Sequence, residues 1–372
     1  MAHIYHLLDE AEPFSELRGG AISRWVANVL RSGDERVICQ SFDDSWGYPV
    51  DRLFRLPSWD LCDQIHPLLY RSPWPIQKPI YRSVLLPLLD RLKSGDILYI
   101  HNRPECAEVL AAPAERRGIR VVLHMHNSLL HPRSKKHIPA LRDVPVVFCS
   151  EFLRNEVVSA YPDHLQNTHV VYNGADNKMF RAADRTQKSL PEIIFTGRVV
   201  PYKGVHVLID AMRILEQKGI PARCTIVGGS AFGKSKPTRY VQELERKRPG
   251  NTTLVGYKSG KDLASLLRQA DIFCCPSIWN DPFPLAPLEA MAAGLPVVAS
   301  RTGGIPEALA YGGGVLVPPN DVGALADELQ KLVEDVPYRE KLGREASQAS
   351  RDHFVWDSVR NQYESVIGGL VS

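Results

Sequence analysis

Two cations stand five residues apart in Phe195-Thr196-Gly197-Arg198-Val199-Val200-Pro201-Tyr202-Lys203-Gly204, which leaves an apolar run and leads into a helical pattern. Arg presents a planar fork to phosphate oxygens and Lys a compact charge, so the pair suits a diphosphate. Cations at a helix start oppose the helix dipole unless an anion sits there. The plainer reading is two solvated surface cations.

A second stretch runs Asn280-Asp281-Pro282-Phe283-Pro284-Leu285-Ala286-Pro287-Leu288-Glu289-Ala290-Met291-Ala292-Ala293-Gly294-Leu295-Pro296. Its prolines exclude regular structure at the start and leave backbone groups on display. Glu289 then enters a short helix of small and apolar residues, where a carboxylate needs a partner. A ribose diol would serve; so would an internal salt bridge or a cap.

Histidines form a third group. His124 and His126 share one face of a strand, because side chains alternate with period two. With His101 they could ligate zinc, yet no carboxylate or Cys at ligand spacing completes the set. His3 and His6 fall on opposite faces of the first strand, and no role is assigned to them. Gly228-Gly229-Ser230-Ala231-Phe232-Gly233-Lys234-Ser235 matches the phosphate-loop pattern GxxxxGK[ST] and follows an apolar run. Pro237 falls in the first turn after it, and no apolar strand ends in a magnesium-binding Asp. A glycine-rich loop beside a ligand is the better reading, with a nucleotide hydrolase as the rival.

Strands are expected at 2–8, 36–40, 96–101, 120–126 and 145–150, then at 169–172, 192–196, 223–227, 252–255, 272–276 and 296–299. Helical patterns such as 204–217, 261–270 and 321–334 lie between them. Strands alternating with helices imply βαβ units and mostly parallel sheets. The chain has 372 residues, too many for one ordinary core. The strands fall into two groups, split near Asn173-Gly174, so two Rossmann-like halves are favoured over one barrel. Residues 60–90, rich in Pro and aromatics, read as an irregular packed excursion or a surface that meets a ligand or membrane. Residues 354–367 carry a helical apolar stripe.

Composition excludes several classes. The net charge is only +3, from 45 Lys and Arg against 42 Asp and Glu, so no field marks a nucleic-acid binder. Residues 78–142 do carry 12 Lys and Arg against 5 Asp and Glu. That is a solvated face, or a patch for anionic lipid headgroups or an acidic substrate. Seven cysteines without CxxC spacing, several inside apolar runs, read as buried reduced thiols. No apolar run approaches the ~18 residues of a membrane span. The location expected is the cytoplasm, peripheral on the inner face of the membrane.

Together, Gly197-Arg198 with Lys203-Gly204, Asp281 with Glu289, and Thr302-Gly303-Gly304-Ile305-Pro306-Glu307 resemble the family-4 glycosyltransferases of the GT-B fold. Ser150-Glu151-Phe152, Asn173-Gly174-Ala175-Asp176, Ala270-Asp271, Pro276-Ser277 and Gly19-Gly20 add to the resemblance. It covers nearly the whole chain and is most specific over 193–308. His101-Asn102, Leu123-His124-Met125-His126-Asn127 and Ile226-Val227-Gly228-Gly229 look most like bacterial lipopolysaccharide-core and surface-polysaccharide hexosyl or N-acetylglucosaminyl transferases.

The resemblance implies two Rossmann-like domains facing across a cleft: 1–173 for the acceptor and 174–353 for the donor, with 354–372 returning to the first. The implied reaction is retaining transfer from a nucleotide diphosphate sugar, UDP favoured, to a hydroxyl of a glycan or lipid-linked glycan, with no metal or other cofactor. Arg198 and Lys203 would hold the diphosphate and Glu289 the ribose. Asp281 would stand near the donor sugar and His126 would bond it near the reacting carbon. Leu285 and Ala286 would offer backbone N–H groups. Gly19 and Gly20 would let backbone approach the phosphates, Gly228 and Gly229 would border the donor, and Val255 and Tyr257 the base. The family has Glu where Asp281 stands and Gly where Pro284 stands, which implies a reshaped donor-sugar pocket. A nucleotide-sugar epimerase or a non-catalytic sensor could share this fold.

Overall fold

The computed structural model describes residues 3–9, 13–15, 20–30, 35–39, 52–54, 72–182, 190–230 and 238–371. Two compact units emerge: Met1–Val171 with Tyr363–Ser372, and Tyr172–Gln362. The division falls two residues before the expected one. The last helix, Trp356–Val371, is shared: residues up to Gln362 belong to the second unit and only those from Tyr363 to the first.

The first unit holds a seven-stranded sheet in the order β3-β2-β1-β4-β5-β6-β7. Its strands are β1 Ile4–Leu7, β2 Glu35–Ile38, β3 Leu53–Phe54, β4 Ile97–His101, β5 Arg120–Met125, β6 Val146–Phe148 and β7 Thr168–Val170. All are parallel. β4 is buried along its whole length, as a central parallel strand covered on both faces must be.

Residues 60–71 lie outside the described residues. Residues 74–91 are not irregular: Trp74–Leu85 is a helix and Leu86–Arg91 a 3-10 helix. Pro75 sits in the first turn, where a missing N–H costs nothing. Trp74 Nε1 and Lys78 Nζ donate to Glu108 Oε1 at 2.9 and 2.7 Å, and His137 Nδ1 lies 2.6 Å from Oε2. Burial opposes the Glu108 charge, but the bonds from His137, Lys78 and Trp74 prevail and bring its pKa down to about 2. Part of the basic segment is therefore internally neutralised.

The second unit holds a six-stranded parallel sheet in the order β10-β9-β8-β11-β12-β13. The strands are β8 Glu192–Thr196, β9 Arg223–Val227, β10 Thr252–Gly256, β11 Ile272–Cys275, β12 Val297–Ser300 and β13 Gly314–Val317. Helices Val205–Gln217 and Val322–Glu334 bury Leu208, Met212, Leu325 and Leu329 against it. Strand order reverses between β8 and β11. Open α/β sheets bind ligands at that switch point, beyond the carboxyl ends of the strands.

Six cysteines, Cys39, Cys106, Cys149, Cys224, Cys274 and Cys275, are buried and unbridged, while Cys62 lies outside the described residues. Among the described residues no helix is long and apolar enough to cross a membrane.

Candidate active site

The second unit gathers its polar loops at the switch point. After β8 the chain passes Gly197 and Arg198, makes a 3-10 turn at Pro201–Lys203, and enters helix Val205–Gln217 through Gly204 at φ 71°. A Cβ on Gly204 would lie 1.8 Å from the carbonyl oxygen of Pro276, so glycine alone lets this loop touch the one after β11. Gly228, after β9, makes the same kind of approach: its Cβ would meet the Gly197 carbonyl oxygen at 1.7 Å. Val199 N–H donates to Gly229 O at 2.9 Å and Gly228 N–H to Gly256 O at 2.9 Å. Three loops are thus stitched together by main chain.

Lys203 Nζ is ion-paired with a carboxylate oxygen of Asp281, bridging the loops after β8 and β11. The sequence reading gave these residues separate tasks; the fold pairs them. Both are largely buried, at 17% and 7% side-chain exposure. Lys203 Nζ also stands 5.7 Å from the Trp279 ring centroid, and the exposed Arg198 guanidinium 5.5 Å from that of Tyr202. Tyr202 meets Trp279 edge-on at 5.3 Å, so an aromatic pair separates the two cations. Among the described residues Arg198 has no carboxylate within ion-pair distance, which leaves its donors available.

Asp281 is held firmly. Its carbonyl accepts from Gly304 N–H at 2.8 Å, while Thr302 Oγ1 donates to Trp279 O at 2.8 Å. Gly303 and Gly304 press on this loop so closely that Cβ atoms there would fall 2.1 and 2.0 Å from the carbonyl oxygens of Asp281 and Pro282. Helix Leu285–Ala292 follows, with Pro284 at its N-cap supplying no side-chain bond. The first-turn N–H groups of Leu285 and Ala286 have no intrahelical acceptor. Glu289 is buried in this helix. Val255 and Tyr257, at and just past the end of β10, are half-buried. Thr196 Oγ1, ending β8, is buried without a partner among the described residues.

Tyr202, Trp279 and Thr302 were given no task in the sequence reading. Tyr202 and Trp279 lie within two residues of Lys203 and Asp281, and Thr302 opens the motif over 302–307, so adjacency and motif were their only signals.

In the first unit, Gly20 caps helix Ala21–Val29 with no side-chain bond, while Gly19 lies outside the described residues. His126 follows β5, and its N–H donates to Asn102 Oδ1 at 2.7 Å. Its ring stacks on His124 at 4.0 Å, and its Nε2 lies 3.1 Å from His101 Nδ1. One nitrogen from each of His101, His124 and His126 falls within 4.8 Å of the others, so the expected trio does assemble. The His124 and His126 rings are only 28° from parallel, and His101 spends both nitrogens on neighbouring imidazoles. Burial holds all four imidazoles, His6 included, far below the ordinary pKa, with His6 and His126 at about 3. They are neutral at pH 7. The phosphate-loop pattern extends into 231–237, outside the described residues; Gly228–Ser230 serve the loop contacts above.

Residues 176–349 match the family described as glycosyl transferases group 1. The second unit is a group 1 glycosyltransferase domain. The chain is 26% identical to the putative glycosyltransferase YtcC of Bacillus subtilis, over 98% of this chain and 91% of that protein. Anabaena Alr3699/HepE, solved with UDP and glucose, superposes at TM-score 0.72 with 21% identity, covering 98% of this chain and 99% of that one. The lipopolysaccharide outer core galactosyltransferase WaaB in its apo form superposes at 0.69 with 15% identity, covering 99% of each. Two Rossmann-like units joined in this order are the GT-B fold, and the glycosyltransferase domain is its second half.

Proposed function

We propose that this glycosyltransferase moves a hexosyl or N-acetylhexosaminyl group from a UDP-sugar to a hydroxyl of a glycan or lipid-linked glycan, with retention of anomeric configuration. The observation that carries this reading is the switch-point arrangement: Arg198 with open donors, and Lys203, paired with Asp281, on the same main-chain-stitched loop. A departing diphosphate develops negative charge, and preorganised cations stabilise it without reorganisation. Protein cations then do the work of a metal, so activity is independent of divalent ions. Leu285 and Ala286 N–H groups meet sugar hydroxyls or phosphate, Glu289 binds the ribose, Val255 and Tyr257 border the base, and Gly19, Gly20, Gly228 and Gly229 let main chain approach the donor. The orphaned Thr196 hydroxyl fits a polar ligand at this edge.

Asp281, engaged by Lys203, acts on the donor sugar and is not a free nucleophile. That favours a front-face reaction, in which the leaving phosphate oxygen takes the acceptor proton. His126 bonds a sugar hydroxyl. UDP as the nucleotide and glucose as the sugar draw support from Alr3699/HepE, and a lipopolysaccharide-type acceptor from WaaB. Such an acceptor places the enzyme in the cytoplasm, with basic residues of 78–142 meeting anionic lipid at the inner membrane face.

A thermal-shift panel of UDP-, GDP- and ADP-sugars, followed by transfer assays with and without chelator, tests this. Stabilisation by UDP-sugars and chelator-insensitive transfer are expected. Donor turnover without acceptor would make it an epimerase instead, and loss of activity with chelator would refute metal independence.

A further inference from the structure

Behind His126 runs a line of buried groups that the reaction as described does not use. His101 Nδ1 lies 3.1 Å from His126 Nε2, and His101 Nε2 lies 3.1 Å from His6 Nδ1. His6 Nε2 lies 3.2 Å from the Tyr363 hydroxyl, which is 3.4 Å from Glu35 Oε1. His6, His101 and Tyr363 are at most 1% exposed and Glu35 7%. The line joins β1, β2, β4, the turn after β5 and the last helix, all within the first unit.

A neutral imidazole donates from one nitrogen and accepts at the other, so each link fixes the next. Let Tyr363 donate to Glu35. Then His6 Nε2–H donates to Tyr363, His101 Nε2–H to His6, and His126 Nε2–H to His101. All four bonds form at once, and His126 Nδ1 is left as a bare lone pair. With the opposite polarity Tyr363 spends its only proton on His6 and the bond to Glu35 is lost, so three bonds form instead of four. Burial disfavours the charged form of all three imidazoles, so no imidazolium breaks the pattern near pH 7.

We infer that Glu35, Tyr363, His6 and His101 are positioning residues: they lock His126 in its Nε2–H tautomer, presenting Nδ1 as an acceptor for a substrate hydroxyl. His126 suits that task. Nδ1 has no partner among the described residues, and His126, at 8%, retains exposure that the three other imidazoles lack. Asn102, held at φ 57°, grips the His126 main chain and keeps the ring at the end of the line. The step from tautomer to catalysis rests on the glycosyltransferase reading; the tautomer itself does not.

The test uses the full chain with 15N-labelled histidine, the His126 signals being assigned by their loss in His126→Gln. The nitrogen shifts of free wild type should show His126 protonated at Nε2 and bare at Nδ1. Tyr363→Phe keeps the ring and removes the hydroxyl; its His126 should become a mixture of tautomers. Glu35→Gln keeps an acceptor and should preserve the wild-type spectrum, whereas Glu35→Met should match Tyr363→Phe. In transfer assays Tyr363→Phe should lose about tenfold in kcat with donor KM within twofold, and Glu35→Gln should retain wild-type kcat. A wild-type His126 protonated at Nδ1, or an unshifted spectrum in Tyr363→Phe, overturns the relay. A shifted spectrum with unchanged kcat overturns its role in transfer. A wild type that transfers no sugar at all would refute the proposed function while the spectra still decide the relay.

Discussion

Lys203 Nζ rests against the carboxylate of Asp281, tying the two loops that flank the switch point of the second sheet. Neither group is free in this state: the ammonium is partly neutralised by a carboxylate that is itself 7% exposed. In the proposed reaction an incoming diphosphate competes with Asp281 for Lys203. Asp281→Asn should therefore tighten UDP binding, by about tenfold if ~1.4 kcal/mol of that competition is relieved. Transfer should fall about 100-fold, the scale for losing one preorganised charged group. Titration calorimetry and initial rates check both halves. Weaker UDP binding in Asp281→Asn would show that the pair does not restrain Lys203.

Gly204 and Gly219 share φ 71° at opposite ends of helix Val205–Gln217, but only Gly204 faces another loop. A Cβ on Gly219 meets nothing within 4 Å, so Gly219→Ala should cost about 1 kcal/mol of left-handed strain alone. Gly204→Ala adds a collision with the Pro276 carbonyl and should cost at least about 3 kcal/mol, with donor binding lost as the loops separate. Urea unfolding of the two variants separates these costs. Equal destabilisation would mean that the loop contact contributes nothing.

Much of this arrangement was legible beforehand because it is local. β8, β9 and the glycine-flanked cations at Arg198 and Lys203 announce themselves through apolar runs that end in loop residues. β3 was missed because two residues carry no periodicity. β13 was missed because Gly312, Gly313 and Gly314 mask its start as a turn. Helix Trp74–Leu85 was hidden by Pro75 and Pro79, which read as breakers until one is seen to occupy the first turn. The pairing of Lys203 with Asp281 and the bond between His6 and Tyr363 span 78 and 357 positions, and nothing in local spacing encodes them. Lys203 meets Asp281 because parallel register sets the ends of β8 and β11 side by side, and Tyr363 reaches His6 because the end of the last helix belongs to the first unit.

Buried neutral histidines make the first unit acid-sensitive. The unfolded chain takes up protons on His6, His101, His124 and His126 as pH falls through about 6.5, whereas the folded unit refuses them until about 3 at His6 and His126. Their folded pKa values are depressed, so stability is full above pH 6.5 and declines below it. The slope is about 1.4 kcal/mol per pH unit for each histidine. Urea midpoints at pH 7.5 and 5.5 should differ clearly, with the lower value at pH 5.5. Equal midpoints would contradict a neutral, buried cluster.

In the proposed reaction, cations on the loop after β8 receive the donor's diphosphate. The most direct measurement is UDP binding by calorimetry to wild type, Arg198→Ala and Lys203→Ala, with uridine as the uncharged control. UDP should bind about 10- to 100-fold more weakly to each variant, from one charge-assisted contact of ~1.5–3 kcal/mol, with uridine binding unchanged. UDP affinity equal to wild type in both variants would contradict it.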